Sequence, residues 1–185
     1  MPACGKEEKQ RLRQILRERA EAFFVETPAA RREEMARDIF SEIEKTDAFQ
    51  NARTILLYAS LPDELPTDAA LARWSRAKRL ALPLVQGDEL LLKAYDPTRL
   101  QPGYQGISEP LDSCQTLAPE EIDLVLVPGR AFTREGRRLG RGKGYYDRLL
   151  PRLKNAARVG VAFPFQIVDE LPVEPWDERL DAVFF

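Results

Sequence analysis

A glycine-rich and strongly basic segment, residues 136–148, is the part of the chain best suited to chemistry. It reads Gly-Arg-Arg-Leu-Gly-Arg-Gly-Lys-Gly-Tyr-Tyr-Asp-Arg, with four glycines among four arginines and one lysine. An apolar run at 123–128 precedes it, and helix-compatible residues at 145–153 follow it. Glycines let the backbone approach an anion closely, and a helix N-terminus presents free N–H groups to it. The pattern therefore predicts a phosphate-binding loop.

Two common phosphate motifs do not fit this loop. A Walker A loop requires Gly-Lys-Ser/Thr, but Gly142 and Lys143 are followed by Gly144. A dinucleotide fingerprint requires two residues before its last glycine, and this loop has one. The plainer interpretation is a flexible surface loop, but the two tyrosines and the carboxylate directly after the glycines argue against it. In that turn, Asp147 is either a ligand for Mg²⁺ or an acid that complements the helix dipole.

The composition is that of a compact intracellular enzyme. The 185 residues are 44% hydrophobic and 31% charged, and the net charge of −2 gives no general attraction to nucleic acid or membranes. Histidine is absent, which excludes a Ser-His-Asp hydrolase and a His-ligated zinc site. Cys4 and Cys114 match neither a metal-site nor a disulfide spacing. Because residues 1–25 are highly charged and no apolar stretch is long enough to span a bilayer, we expect a cytoplasmic protein.

Hydrophobic periodicity predicts two N-terminal helices followed by alternating strands and helices. The predicted strands are 54–59, 79–83, 89–95, 123–128, 157–163 and 180–184, and the later helices are 67–78 and 144–153. Nearly continuous apolar strands indicate a mostly parallel sheet that is covered on both faces. We therefore expect a single domain over 1–185, an α/β fold with three α/β/α layers and a Rossmann-like sheet. A helical pair at about 6–46 would pack on the α/β core at 53–185.

Three loops follow predicted strands, at 60–67, 128–144 and 163–167. Ligands of open α/β sheets bind beyond the carboxyl ends of the strands, so we expect these loops to converge on one site.

The sequence from Asp123 to Arg148 resembles the signature of the 5-formyltetrahydrofolate cyclo-ligase family. Weaker matches occur in the same order along nearly the whole chain, at 9–13, 58–67, 106–110, 159–163 and 180–183. Ser108 departs from a proline that is common in the family, and Arg130 departs from a residue that is often apolar. Neither departure touches the Gly-Lys-Gly core of the loop.

The resemblance implies an ATP- and Mg²⁺-dependent reaction that converts 5-formyltetrahydrofolate to 5,10-methenyltetrahydrofolate and releases ADP and phosphate. An N-formyl amide is a poor electrophile, and its oxygen is a poor leaving group. Phosphorylation of that oxygen would activate the carbon for attack by N10, which closes the ring. The protein would contribute positioning, charge neutralisation and exclusion of water.

The resemblance also implies roles for individual residues. The catalytic cations would be Lys143 and Arg141. ATP would contact Lys9, Arg13, Arg138, Leu139, Gly140, Arg141, Gly142, Lys143, Gly144 and Tyr145. The folate would contact Glu64, Tyr104, Arg141, Gly142, Lys143, Gly144 and Tyr145. The Mg²⁺ ligands would be Asp147 and Asp181, and Tyr146 is expected only to pack on the sheet.

Plainer interpretations exist for the residues outside the loop. The spacing of Lys9 and Arg13 puts them on one helix face, where solvated surface charges are the default. Glu64 would otherwise be an exposed loop acid and Asp181 an ordinary acid at a strand edge.

Two other functions remain open on the sequence. The basic loop and its tyrosines could bind nucleic acid, although the negative net charge and the retained acids argue against it. An ATP-dependent relative could act on another formylated or carboxylated amine. We expect small-molecule partners, no nucleic acid, no membrane and a monomer.

Overall fold

The structure is a computed structural model that describes residues 3–103, 106–174 and 177–185. Its helices are α1 (Ala3–Glu26), α2 (Ala29–Glu44), α3 (Asp47–Asn51), α4 (Asp68–Trp74) and α5 (Tyr145–Leu149). Its strands are β1 (Thr54–Leu56), β2 (Arg79–Gln86), β3 (Glu89–Ala94), β4 (Leu100–Pro102), β5 (Ser108–Pro110), β6 (Leu124–Val127), β7 (Ala131–Phe132), β8 (Arg138–Leu139), β9 (Ala157–Val161) and β10 (Ala182–Phe184). Short 3-10 helices cover Pro119–Glu121, Leu150–Arg152 and Pro164–Gln166.

The main sheet has six strands in the order β10-β9-β6-β1-β2-β3. Its neighbours pair in parallel except for β2 and β3, which form an antiparallel hairpin at one edge. Gly87 makes the turn of that hairpin with a φ of 60°, in the left-handed region that favours glycine. The mostly parallel α/β sheet that the sequence predicts is confirmed.

The sheet is buried on both faces because successive residues of its central strands enter different apolar clusters. Ile55 packs in one cluster with Phe40 and Ile43 of α2. Leu56, the next residue, belongs to a second cluster on the opposite face with Leu149 of α5. This alternation explains why the central strands are apolar throughout, and it confirms the three layers.

Both N-terminal helices pack on the α/β core, and α1 does so near its C-terminal end, where Phe23 and Phe24 join the apolar cluster that contains Phe40 of α2. Leu16 of α1 is 1% exposed and forms a small apolar cluster with Ala131 and Leu139, which belong to the short β7–β8 hairpin. Further along α1, the ring centroid of Phe23 lies 4.9 Å from that of Phe163. The first helix therefore covers the loops beyond the sheet and brings its charged residues to the glycine-rich segment.

Two local predictions need correction. The predicted helix 144–153 is α-helical only from Tyr145 to Leu149 and continues as a 3-10 turn, because Pro151 has no N–H to extend the helix. The predicted loop 128–144 contains the β7–β8 pair, which turns at Gly136 with a φ of 88°. A Cβ there would lie 2.2 Å from the Leu180 carbonyl oxygen, so only glycine fits. Within the described ranges, no helix combines the length and apolarity needed to cross a bilayer.

Candidate active site

A cavity of about 370 Å³ lies beyond the carboxyl ends of β1 and β6. Residues from the segment after β1, including Tyr58 and Glu64, form one wall, and the segment 128–147 forms another. The β2–β3 hairpin closes a third side with Val85 and Leu90, a contribution that the sequence did not indicate. Two of the three loops predicted to converge therefore do so.

The third predicted loop, 163–167, supports the site from outside. None of its residues lines the cavity, but the Gln166 side-chain amide donates a hydrogen bond of 2.7 Å to the carbonyl of Gly129. Gln166 is buried, so this bond fixes the backbone that leads from β6 into the cavity wall.

The glycine loop runs from the end of β8 to the start of α5 and takes its shape from left-handed residues. Gly142 has a φ of 96° and Gly144 a φ of 72°, conformations that other residues adopt only with strain. Arg13 of α1 donates through Nε to the Gly140 carbonyl at 2.9 Å. Lys143 has an exposed side chain and lines the cavity. The loop thus presents backbone and an exposed cation to the same space.

Arg141 connects the loop to two acids of the segment after β1. Its Nε donates to Glu64 Oε1 at 2.9 Å, and its Nη atoms donate to the carboxylate of Asp63. Arg130 also donates to Asp63, which gives this departure from the family pattern a structural partner. Burial alone would raise the pKa of Asp63, but the two arginines outweigh it and lower that pKa. The pKa of Arg141 is raised, because the two carboxylates outweigh its burial.

Glu64 is a buried acid and not an exposed loop residue. It is 8% exposed, and its Oε2 accepts a hydrogen bond of 3.0 Å from the Leu61 N–H. Its other oxygen faces Arg141, and the side chain lines the cavity. A carboxylate in this position can accept further hydrogen bonds from a ligand.

Arg138 lies almost fully buried in the cavity wall and pairs with Asp147. Its side chain is 5% exposed, and it donates to Asp147 Oδ1 and, at 3.3 Å, to the Pro128 carbonyl. Its Cζ lies 5.7 Å from the centre of the Tyr146 ring. Asp147 keeps 35% of its side chain exposed and lines the cavity. Arg138 therefore orients Asp147 through an ion pair and Tyr146 through a cation–π contact.

The side chains of Lys9 and Arg13 bind other groups of the protein and are not solvated surface charges. The Lys9 ammonium lies 2.6 Å from both Glu174 Oε2 and Asp177 Oδ2, and its side chain is 8% exposed. Burial opposes its charge, but the two carboxylates outweigh burial and raise the pKa of Lys9. For Arg13, burial outweighs the attraction of nearby acids and lowers its pKa. Arg13 contacts the glycine loop, whereas Lys9 lines no part of the cavity.

The two tyrosines after the loop have different surroundings. The Tyr145 hydroxyl donates to the Gly87 carbonyl at 3.4 Å, so α5 is connected to the tip of the β2–β3 hairpin. Arg148 reinforces this connection through the Asp88 carbonyl. Tyr146 packs against the core, as expected, but it also lines the cavity. Burial raises the pKa of its hydroxyl.

The structure does not bring Asp181 to Asp147. Asp181 lies at the amino end of β10, where its carboxylate accepts a 2.7 Å hydrogen bond from the Arg158 N–H. Asp123 accepts a similar hydrogen bond of 2.8 Å from the Thr54 N–H. Both acids therefore bind backbone groups at the amino ends of the strands, which is the end of the sheet opposite the cavity. The plainer interpretation of Asp181 is the one that the geometry supports. Tyr104 lies outside the described residues.

Glu109 is a second buried acid of the cavity, and sequence reasoning predicted no chemical role for it. It is 6% exposed and lines the wall near Ile107. A Cβ at Gly103 would lie 2.2 Å from its Oε2, so that glycine makes room for the carboxylate. In the sequence, Gly103 is the local feature that could have indicated a buried Glu109, and it is informative only once the pairing of β4 with β5 is known. Among the described residues, no three His, Cys, Asp or Glu side chains form a metal-binding cluster.

A mostly parallel α/β sheet with a basic glycine loop and buried acids at the carboxyl ends of its strands has the architecture of an α/β enzyme with a ligand cavity. Residues 5–185 match the sequence profile of the 5-formyltetrahydrofolate cyclo-ligase family. The chain belongs to this family.

Two relatives and one solved structure illustrate the similarity. The 5-formyltetrahydrofolate cyclo-ligase of Haemophilus influenzae is 36% identical over 139 residues, which cover 71% of this chain and 74% of the relative. The enzyme of the same name from Escherichia coli K12 is 35% identical over 140 residues, covering 71% and 77%. The NMR structure of Aquifex aeolicus 5,10-methenyltetrahydrofolate synthetase superposes with a TM-score of 0.81 at 34% identity, covering 94% of this chain and 89% of that one.

Proposed function

We propose that this chain catalyses the ATP-dependent conversion of 5-formyltetrahydrofolate to 5,10-methenyltetrahydrofolate, with release of ADP and phosphate. Its family membership supports this activity. The structural observation that carries the proposal is that one cavity combines the basic glycine loop with the buried carboxylate of Glu64. The loop suits the phosphates of ATP, and the carboxylate suits the N–H groups of a pterin.

The reaction proceeds in two steps. In the first, the formyl oxygen attacks the γ-phosphorus of ATP, so that a P–O bond forms and the bond to ADP breaks. In the second, N10 attacks the formyl carbon and loses its proton. The C–O bond then breaks, phosphate leaves with the electron pair, and N5 shares the positive charge of the methenyl bridge. The protein needs to supply alignment and charge neutralisation, and no histidine is required.

Two cations neutralise the transferred charge in this proposal. Lys143 is exposed and lines the cavity, and its long flexible side chain would let the ammonium follow the γ-phosphoryl group. Arg141 is fixed by Asp63 and Glu64, so its guanidinium stays charged and oriented. Arg13 contributes to ATP binding through the Gly140 carbonyl, because that hydrogen bond sets the loop conformation.

Asp147 is the residue that we propose to hold Mg²⁺. The ion usually takes one or two carboxylates together with substrate phosphates, and a partly exposed carboxylate beside the glycine loop fits that preference. When bound, Mg²⁺ would offset the negative charge of the triphosphate. Asp181 has no part in this proposal, because it binds the Arg158 N–H at the end of the sheet opposite the cavity.

The nucleic-acid alternative loses support from the contacts of the arginines. Arg130, Arg138 and Arg141 each already bind a carboxylate beside the cavity, so they do not form an open basic surface. We further propose that the protein works as a monomer in the cytoplasm, where the free thiol of Cys114 would stay reduced. Size-exclusion chromatography at working concentration tests the monomer.

The decisive experiment follows the absorbance of the methenyl product after 5-formyltetrahydrofolate is mixed with the protein and Mg²⁺, with and without ATP. Product should appear only with ATP, should be lost in Lys143→Ala, and should persist in the control Lys154→Ala, which changes an exposed lysine outside the cavity. Absence of product with ATP still bound in calorimetry would indicate another substrate. Absence of both product and ATP binding would refute the proposal.

A further inference from the structure

The guanidinium of Arg148 connects two walls of the active-site cavity. Its Nη2 donates a hydrogen bond of 3.0 Å to the Lys143 carbonyl in the glycine loop. Its Nε donates one of 2.8 Å to the Asp88 carbonyl at the tip of the β2–β3 hairpin, and Nη2 contacts the same carbonyl. One side chain therefore joins the loop that we propose to bind ATP to the hairpin that closes another side of the cavity.

The surroundings of this guanidinium favour its bridging position. Its Cζ lies 5.6 Å from the centre of the Tyr145 ring. A Cβ on Gly144 would lie 2.6 Å from Nη1 of Arg148, so the glycine leaves the space that the guanidinium occupies. Because the N–H groups of arginine form a planar and rigid fork, Arg148 can hold carbonyls of two segments at once.

The tip of the hairpin depends on contacts of this kind for its position. Residues 86–89 are exposed, and β3 is the last strand at its edge of the main sheet. Directly behind the tip, Val85 and Leu90 line the cavity with apolar side chains. Exposed segments at a sheet edge open locally at a low cost in free energy. A hydrogen bond that holds the tip therefore determines how much of the time this apolar wall is in place.

The two connected walls suit two different ligands, since one is basic and the other apolar. We propose that Arg148 is a positioning residue that couples ATP binding on the glycine loop to closure of the β2–β3 hairpin over the rings of the folate. Phosphate on the loop restrains the Lys143 carbonyl and with it Arg148. Arg148 then restrains the Asp88 carbonyl, which keeps the apolar side of the hairpin against the folate. The identities of the two ligands rest on the proposed function, whereas the bridge rests on the geometry.

This coupling acts in both directions. If ATP strengthens folate binding by some factor through Arg148, the folate must strengthen ATP binding by the same factor. The chain would then hold its two substrates together more tightly than it holds either one alone. That property favours phosphoryl transfer to the folate, because both reactants are in place when the cavity is closed.

Two exposed arginines four positions apart provide a matched pair of variants. Arg148→Met removes the bridge and keeps an unbranched side chain. Arg152→Met removes another contact of the same hairpin, the ion pair of 3.3 Å between Arg152 Nη1 and Glu89 Oε2, which does not involve the glycine loop. Because both arginines are exposed, both variants should fold, and thermal melting checks that they do.

Hydrogen exchange of the amides at 85–91 measures hairpin closure with ATP and Mg²⁺ alone, without folate. In wild type, ATP should slow this exchange about three- to tenfold, the effect expected of one or two hydrogen bonds. Arg148→Met should abolish the response to ATP, whereas Arg152→Met should retain it. An Arg148 with a purely structural role would give a different result, since its loss would speed exchange equally with and without ATP.

Calorimetry measures the coupling itself. A non-hydrolysable ATP analogue should bind about three- to tenfold more tightly in the presence of 5-formyltetrahydrofolate than in its absence. This ratio should fall close to one in Arg148→Met and should be unchanged in Arg152→Met. A ratio in Arg148→Met equal to that of wild type overturns the inference, and so does a hairpin whose exchange in wild type does not respond to ATP.

The proposed function fails by another result, the absence of ATP-dependent methenyl product. If ATP slows exchange of the hairpin through Arg148 but no product forms, the coupling stands and the second substrate must be revised. If product forms while the hairpin in Arg148→Met responds to ATP as in wild type, the reaction stands and the coupling is refuted.

Discussion

Arg141 and Glu64 are 77 positions apart in the sequence and are joined by a hydrogen bond of 2.9 Å inside the active-site cavity. Arg141 belongs to the glycine loop, which we propose to bind phosphate, and Glu64 to the segment after β1, which we assign to the pterin. This bond places the two halves of the proposed reaction in direct contact. Alignment of a phosphoryl donor with its acceptor requires that kind of fixed relationship.

Removal of Asp63 should disturb this alignment without removing a group that we assign to the substrates. Asp63→Asn leaves Arg141 with Glu64 as its one remaining carboxylate among its described contacts. We expect kcat/KM to fall about tenfold or more, because catalysis is sensitive to small displacements of such cations. Steady-state assays of Asp63→Asn and of Asp169→Asn, an exposed control, measure the effect. Equal activity in both variants would contradict the proposed role.

The same carboxylate makes a pH-dependent contribution to stability. Since the arginines lower the pKa of Asp63 in the folded protein, its stabilisation is fully present above the unfolded pKa of about 3.9 and is lost as pH falls through the folded pKa. Urea unfolding of wild type and Asp63→Asn should therefore differ most near neutral pH and converge under acid conditions. A difference in the free energy of unfolding between wild type and Asp63→Asn that increased on acidification would contradict this prediction.

Lys9 should matter for stability because it neutralises two acids. In Lys9→Gln, Glu174 and Asp177 would face each other without their cation. We expect a loss of about 1–3 kcal/mol in the free energy of unfolding, below the range for fully buried pairs because both acids are partly exposed. Denaturant titration measures this loss, with the exposed Lys154→Gln as control. Equal stability of the two variants would show that Lys9 has no structural role.

Gly142 should matter for phosphate binding beyond the strain that any left-handed glycine relieves. Gly142→Ala and Gly87→Ala both place a Cβ at a positive φ, with no atom closer than 3.6 Å to either Cβ. Each should cost about 1 kcal/mol of stability. Calorimetry should show weaker ATP binding for Gly142→Ala alone, because Gly142 lies in the glycine loop that we propose to bind phosphate, whereas Gly87 lies at a hairpin turn. Matched losses of ATP affinity would refute the role of the loop.

The sequence predicts those features of this protein that depend on local pattern. The central strands are recognisable because both faces of the sheet are apolar, and the loop at 140–144 because glycines and cations are concentrated there. Local pattern also predicted the helix after the loop, and Pro151, which shortens that helix, is a sequence signal that the prediction overlooked.

Features that depend on distant partners could not be predicted in this way. Lys9 looks like any other lysine on a charged helix until Glu174 and Asp177 are placed beside it. Asp147 and Asp181 are the same residue type, and the end of the sheet at which each lies separates their roles. The β2–β3 hairpin shows no chemistry in its sequence, and it enters the site only because it folds over α5.

The contact between Lys9 and its two acids also bears on how the protein is made. Arg13 of helix α1 contacts the glycine loop through the Gly140 carbonyl. The two acids that bind Lys9 of the same helix lie more than 160 positions later in the sequence. During translation, α1 must wait until Glu174 and Asp177 have left the ribosome before it can dock by these contacts. The contacts that hold α1 in this position can therefore form only after residues 174–177 have been synthesised, and we expect shorter nascent chains to bind ATP weakly.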